Sequence, residues 1–249
     1  MTSTAMPAPD PNNSSSEVLQ RTLEACRIAG SAATHAADAL VNGTRYSFVA
    51  VHQCEEQLDR LDAEIDERVT RAVVHAGERE VRQLLACLKL VVDLERIGDL
   101  VVSFAERVAI VRSRIEMDDL EMLTRMASVL EAMLTHVRGA FQERDIDAAL
   151  DVLRMDSEMD RLRNLVVIRH TEGHDALRGM HSLHVLFMAQ ALERAGDHVK
   201  NVAEEVCHLV SGHTVRHLLR AKDKPFEQMF LQWLLERNAG AAAPRRLPS

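Results

Sequence analysis

The sequence predicts an all-α protein: two pseudo-symmetric antiparallel three-helix bundles followed by a short C-terminal helix. Three observations carry this. The chain repeats itself, with DLERIGDLVVSFAERV at 93–108 and ALERAGDHVKNVAEEV at 191–206, 98 residues apart. A period that long marks a duplicated domain-sized unit rather than a short solenoid repeat. Hydrophobic residues make up 47% of the chain but aromatics only 3%, so the core is built from Leu, Val, Ala, Met and Ile, which suits helices over strands. Apolar positions also recur with the helical period almost without a break from residue 17 to 211.

The elements follow in order. Residues 1–16, MTSTAMPAPDPNNSSS, are rich in Pro, Ser and Asn and are expected to be disordered. Helices near 17–42, 46–75 and 79–113 form the first repeat, 17–114. Helices near 117–143, 146–172 and 175–211 form the second, 115–212. Gly43, Gly77 and Gly173 stand where helices end. Short connections between long helices make neighbours antiparallel. In the extension, 213–249, the stretch PFEQMFLQWLLERN (225–238) reads as a short amphipathic helix opened by Pro225. Its Phe226, Met229, Phe230 and Trp233 form an apolar stripe, suited to packing on the bundle or a dimer mate, or to docking a partner.

Composition excludes several classes. The formal net charge is −8 with no Lys/Arg block, which argues against a nucleic-acid binder. Cys26, Cys54, Cys87 and Cys207 are scattered without a CxxC, as expected of reduced, half-buried thiols in a cytosolic protein. No apolar run of transmembrane length and no secretory apolar region is present, which points to the cytoplasm. No Gly-rich phosphate loop or nucleophile elbow occurs, so no nucleotide or acyl chemistry is recognisable. The eleven methionines read as core filler. His181 and His184 project away from the acidic stripe of their own helix and read as surface or packing histidines. His170 and His174 stand near a helix end, where a cationic ring suits the dipole.

The acids are the chemistry-bearing pattern. At ~100° per residue, Glu95 and Asp99 share one arc, with Glu106 between them and Leu88, Val92 and Val102 beside them. Lys89, Arg96 and Arg107 fall on another arc. The second copy repeats the stripe with Glu193, Asp197 and Glu204, Asn201 adjacent, and Lys200 at the position of Val102. The middle helix of the first repeat adds Glu55, Asp59, Asp62 and Asp66, all on one stripe. Its counterpart keeps Asp156 and Asp160, but Arg163 and Val167 replace the outer two acids. Like charges at i, i+4 cost a helix a few tenths of a kcal/mol, and partly buried carboxylates cost more unless neutralised. Oxygen-rich clusters shared by two helices suit hard or borderline cations such as Mg, Mn, Fe or Zn. The competing reading is a set of solvated or Arg-paired carboxylates. Because Arg163 and Lys200 intrude, the second site is expected to be weaker or absent.

These residues resemble the PhoU family of phosphate-signalling regulators over about residues 17–217. LERIGD (94–99) matches the first signature and LERAGDHVKNVAE (192–204) the second, with Ala195 and Lys200 as departures. DIDAALDVLRMDSEMD (145–160) and SGHTVRH (211–217) resemble two further segments. The resemblance implies multinuclear clusters of iron or zinc on acid pairs: Glu55 and Asp59 with Glu95 and Asp99, and Asp156 and Asp160 with Glu193 and Asp197. Ser103 stands where this family often has Asn. The resemblance also implies a regulator that restrains phosphate uptake and the starvation response. Its partners would be the phosphate ABC transporter ATPase subunit and the sensor histidine kinase, commonly as a homodimer, peripheral to the membrane through those partners only. The competing functions are a carboxylate-bridged di-metal enzyme and a structural bundle with solvated acids. A ferritin-like enzyme site would need Glu-x-x-His pairs facing the acids, and the stripes carry none.

Overall fold

The computed structural model describes residues 11–171 and 179–211. Within them run α1 (Pro11–Val41), α2 (Arg45–Ala72), α3 (Glu78–Val111), a 3-10 turn (Arg112–Arg114), α4 (Met117–Glu143), α5 (Ile146–Thr171) and α6 (Gly179–Ser211). The expected disorder of 1–16 is corrected in part, because residues 11–16 are already helical. Pro11 lacks the N–H that a first helical position leaves unbonded. Ser15 then donates to the Glu80 carboxylate on α3, and Arg68 of α2 donates to Glu17. Residues 1–10, His174, 212–217, the segment 225–238 and the tail lie outside the described residues.

The two repeats close their first turns alike. Gly43 (φ 63°) and Arg144 (φ 56°) are both left-handed and occupy equivalent places just before α2 and α5. The N-caps follow at Thr44, whose Oγ1 accepts from Ser47 N at 3.1 Å, and at Asp145, whose Oδ1 accepts from Asp147 N at 2.9 Å. Glycine suits position 43 for a second reason. A Cβ there would lie 2.6 Å from Arg112 Nε, the atom that donates to the Leu40 carbonyl and caps α1.

Helices α1, α2 and α3 pack on one another, as do α4, α5 and α6, and the halves meet through α3 on α6 and α1 on α4. The arrangement is therefore two layers: α2, α3, α6 and α5 in one, α1 and α4 in the other. The buried residues form one continuous core that runs through both halves, with Phe104 and Phe141 its largest fully buried side chains. The α3–α6 seam is antiparallel. Lys89 Nζ meets Glu205 at 3.1 Å, and Arg107 lies over the Phe187 ring at 4.6 Å. These are the same pair of positions in the two copies, filled once by an ion pair and once by a cation–π contact.

Candidate acidic site on paired helices

Glycine of the repeated LER-x-GD motif sets the geometry. A Cβ on Gly98 would lie 2.8 Å from Leu58 Cδ1 and 3.7 Å from Glu55 Cα, so the missing side chain lets α2 cross close over α3. The equivalent Gly196 would place its Cβ 3.3 Å from Met159 Cγ, a looser approach against a more pliable side chain. At each crossing the acids of the middle helix are brought beside those of the repeat helix.

In the first half the two rows act on one another. Desolvation, then the charges of Asp59 and Asp99, push the Glu55 carboxyl above its ordinary range. Desolvation and then Asp99 push up Glu95, with Asp59 and Asp62 across the crossing adding to it. Asp62 is raised by desolvation, then by Asp66 and Asp59. One cation reaches in. Arg96, assigned from its helical angle to the solvated arc, instead turns back over the acids, with Nε 3.3 Å from Glu95 and Nη1 3.0 Å from Asp99. A long guanidinium spans the arc that the angle alone suggested would separate them.

In the second half Lys200 takes that role. It pairs with Asp156, a carboxylate that is 7% exposed. Burial works to lower the Lys200 ammonium, but the hydrogen bond and charge of Asp156, with Asp197 and Asp160, override it and raise it. Asp160 is raised by desolvation and then by Asp156, with Lys200 and Arg163 opposing. Desolvation and then Asp197 raise Glu193, whose carboxylate accepts from Gln190 at 2.6 Å.

Several expectations are corrected by these positions. Of the acids whose stripes run beside apolar side chains, only Asp156 is buried; the others do not sit within the apolar core. Asp59, Asp66, Glu106, Asp160 and Asp197 are exposed, while Glu55, Asp62, Glu95, Asp99, Glu193 and Glu204 are half-buried. Their arc is the solvent edge of the helices, because the core is lined by Leu94, Ile97, Val101 and their neighbours on the opposite side of α3. Asn201 does not join the acids of its own half. Its Nδ2 donates to Asp93 Oδ1 across the seam at 3.3 Å, where His198 Nδ1 also meets Asp93 at 2.7 Å. Glu204 acts instead on Cys207, whose thiol is pushed up to about 12 by burial first and this charge second. All four cysteines are free and buried rather than half-buried.

His170 does more than face a helix dipole. Its Nε2 lies 3.1 Å from the buried Asp119 and its Nδ1 3.0 Å from Ser182 Oγ, while Arg169 Nε lies 3.0 Å from Asp119. This polar cluster ties α4, α5 and α6 together. The sequence signal for it was Asp119 in the first turn of a helix otherwise rich in apolar positions.

The donor set fits a cation in composition and charge: two facing rows of carboxylates with repulsion left over. It does not yet close on one. Among the described residues no three of His, Cys, Asp or Glu converge on a single ion position, so Glu55, Asp59, Glu95 and Asp99 would have to swing together, and Arg96 away, to hold a metal.

Against known proteins, the PhoU domain family matches residues 22–108 and 123–206. A phosphate-specific transport system accessory protein PhoU homologue from Thermotoga maritima is 30% identical over 71% of this chain and 78% of its own length. The crystal structure of PhoU from Pseudomonas aeruginosa superposes with a TM-score of 0.75 at 26% identity, covering 82% of this chain and 100% of that one. The phosphate transport system regulatory protein PhoU from Streptococcus pneumoniae, at 18% identity and a TM-score of 0.72 over 82% and 99% of the two chains, has the same fold.

Proposed function

The chain belongs to the PhoU domain family, and from that premise we propose that it is a non-enzymatic, metal-binding accessory regulator of phosphate uptake and phosphate-starvation signalling. It acts as a negative regulator in the cytoplasm, by contacts with the phosphate ABC transporter ATPase and the sensor histidine kinase. Relatives with this domain are named as accessory and regulatory proteins of phosphate transport rather than as enzymes. Among the described residues no helix is long and apolar enough to cross a membrane, which suits a protein reaching the membrane through partners.

The observation that carries the metal reading is the pair of facing acid rows across the Gly98 crossing. Glu55, Asp59, Glu95 and Asp99 supply hard oxygen donors, and Asp62 and Asp66 extend the row. When bound, iron, zinc, magnesium or manganese would neutralise this charge and clamp α2 to α3. Both halves carry a cation, but Lys200 is half-buried against the buried Asp156 whereas Arg96 is exposed, so the second half needs a metal less.

Deletion in the source cell is expected to switch on phosphate-starvation genes at high phosphate, and unchanged transcript levels would count heavily against the regulator. Protein purified without chelator is expected to carry metal by elemental analysis. Combined Glu55→Gln and Glu95→Gln should strip it, whereas Asp160→Asn should remove little. Equal losses from both halves would refute the asymmetry.

A further inference from the structure

The solvent face of α3 carries a second pattern that the acid site does not use. Leu85 (45% exposed), the half-buried Leu88 and Val92 (48% exposed) lie at i, i+3 and i+7, and the same stripe runs on into Glu95 and Asp99. Apolar and acidic ends thus lie in line on one face of α3. The chain itself supplies a complement. Residues 212–249 hold seven Lys/Arg against three Asp/Glu, a formal +4, leaving −12 on residues 1–211. Their basic residues cluster at Arg216, Arg220, Lys222 and Lys224, directly before the apolar stripe of Phe226, Met229, Phe230 and Trp233.

Reach and register agree. The Lys89–Glu205 pair and the antiparallel seam put Ser211, the last residue of α6, level with the start of α3, within about a turn or two of Leu85. Thirteen residues, 212–224, then separate it from Pro225, a reach of up to ~43 Å. A helix over 225–238 run antiparallel to α3 would set its 226–233 stripe, ~10 Å long, along the ~10 Å from Val92 back to Leu85, with residues 216–224 toward Glu95 and Asp99. The family match ends at residue 206, before the segment 225–238 begins.

We propose that the C-terminal extension of this chain docks on its own α3 stripe, laying Phe226, Met229, Phe230 and Trp233 on Leu85, Leu88 and Val92. The basic cluster that precedes them is drawn by the acids of the same face.

Trp233 is the sole tryptophan and reports directly. In the dilute full-length protein its emission should be blue-shifted and shielded from acrylamide, equally at all concentrations. Leu85→Glu and Val92→Glu, both at exposed positions that leave the helix intact by circular dichroism, should each shift the docking equilibrium by about tenfold toward the exposed state. Lys222→Glu with Lys224→Glu should act in the same direction, and Ile168→Glu on α5 should leave the emission unchanged. A Trp233 fully quenched in the wild type overturns the proposal. So does shielding that disappears on dilution, which assigns the stripe to a second copy. So does shielding that arises only with anionic lipid vesicles, or that survives Leu85→Glu and Val92→Glu.

Discussion

At the scale of single residues, charge at the α2–α3 crossing is an imposed cost. Glu95 is the clearest case: its side chain is 19% exposed, and desolvation, then Asp99, raise its carboxyl in spite of Arg96. The folded protein therefore holds a proton at pH values where the unfolded chain has lost it. Stability falls as pH rises through the window between the ordinary carboxylate value and the raised one, and the penalty stays in full above it. Glu95→Gln removes that penalty. In the presence of chelator it is expected to stabilise the protein at neutral pH by about 0.5 kcal/mol, or ~1–2 °C in Tm, with the gain vanishing in acid. With metal the sign should reverse, because a donor is lost. Thermal melts of both proteins with chelator and with added zinc or iron, at neutral and acid pH, make the check. A substitution that stabilises equally under both conditions would leave the acids as repelling surface charges and nothing more.

At the scale of elements, the crossing of α2 over α3 depends on Gly98. Adding a methyl there meets Leu58 Cδ1 at 2.8 Å, and Leu58 is wholly buried, so overpacking of ~1–3 kcal/mol works against the ~1 kcal/mol that alanine gains in a helix. Gly98→Ala is expected to destabilise by about 1 kcal/mol and to weaken metal uptake by parting the rows. Gly196→Ala, facing pliable Met159, should be within ~0.5 kcal/mol of neutral on the same terms. Urea denaturation of the two variants compares them, and equal effects would remove the distinction between the crossings. The six helices and their order were legible in the sequence because period 3.6 runs on for about 30 residues at a time and the turn residues punctuate it. The acid rows were legible for the same reason. Their burial was not: a helical angle places a side chain on an arc, but which arc faces the core is set by the neighbours. Glu106 and Asp59 fell on the solvent side for this reason. Nor could an angle foresee that Arg96 would bend over the acids, or that Asn201 would reach Asp93 in the other half. The glycine of the motif was visible as a letter, and its meaning as a crossing point needed the second helix.

At the scale of the whole molecule, the duplication has not left two independent bundles. The seam joins α3 to α6 with Asp93 held by His198 at 2.7 Å and Asn201 at 3.3 Å, the Lys89–Glu205 pair, and Arg107 over Phe187. None of these contacts exists within a single repeat. Beneath them, the buried apolar residues of both halves belong to one core. Splitting the chain would uncover α3 and α1 on one piece and α6 and α4 on the other, a loss of apolar burial that a three-helix fragment of about 100 residues has little margin to absorb. The full chain is therefore expected to melt in one transition whose calorimetric and van't Hoff enthalpies agree. Fragments 1–114 and 115–249, made separately, should lack cooperative transitions, and should recover one when mixed. Calorimetry on the three samples decides it, and a sharp independent melt from either fragment would show that the repeats are still separate domains held together only by their linker.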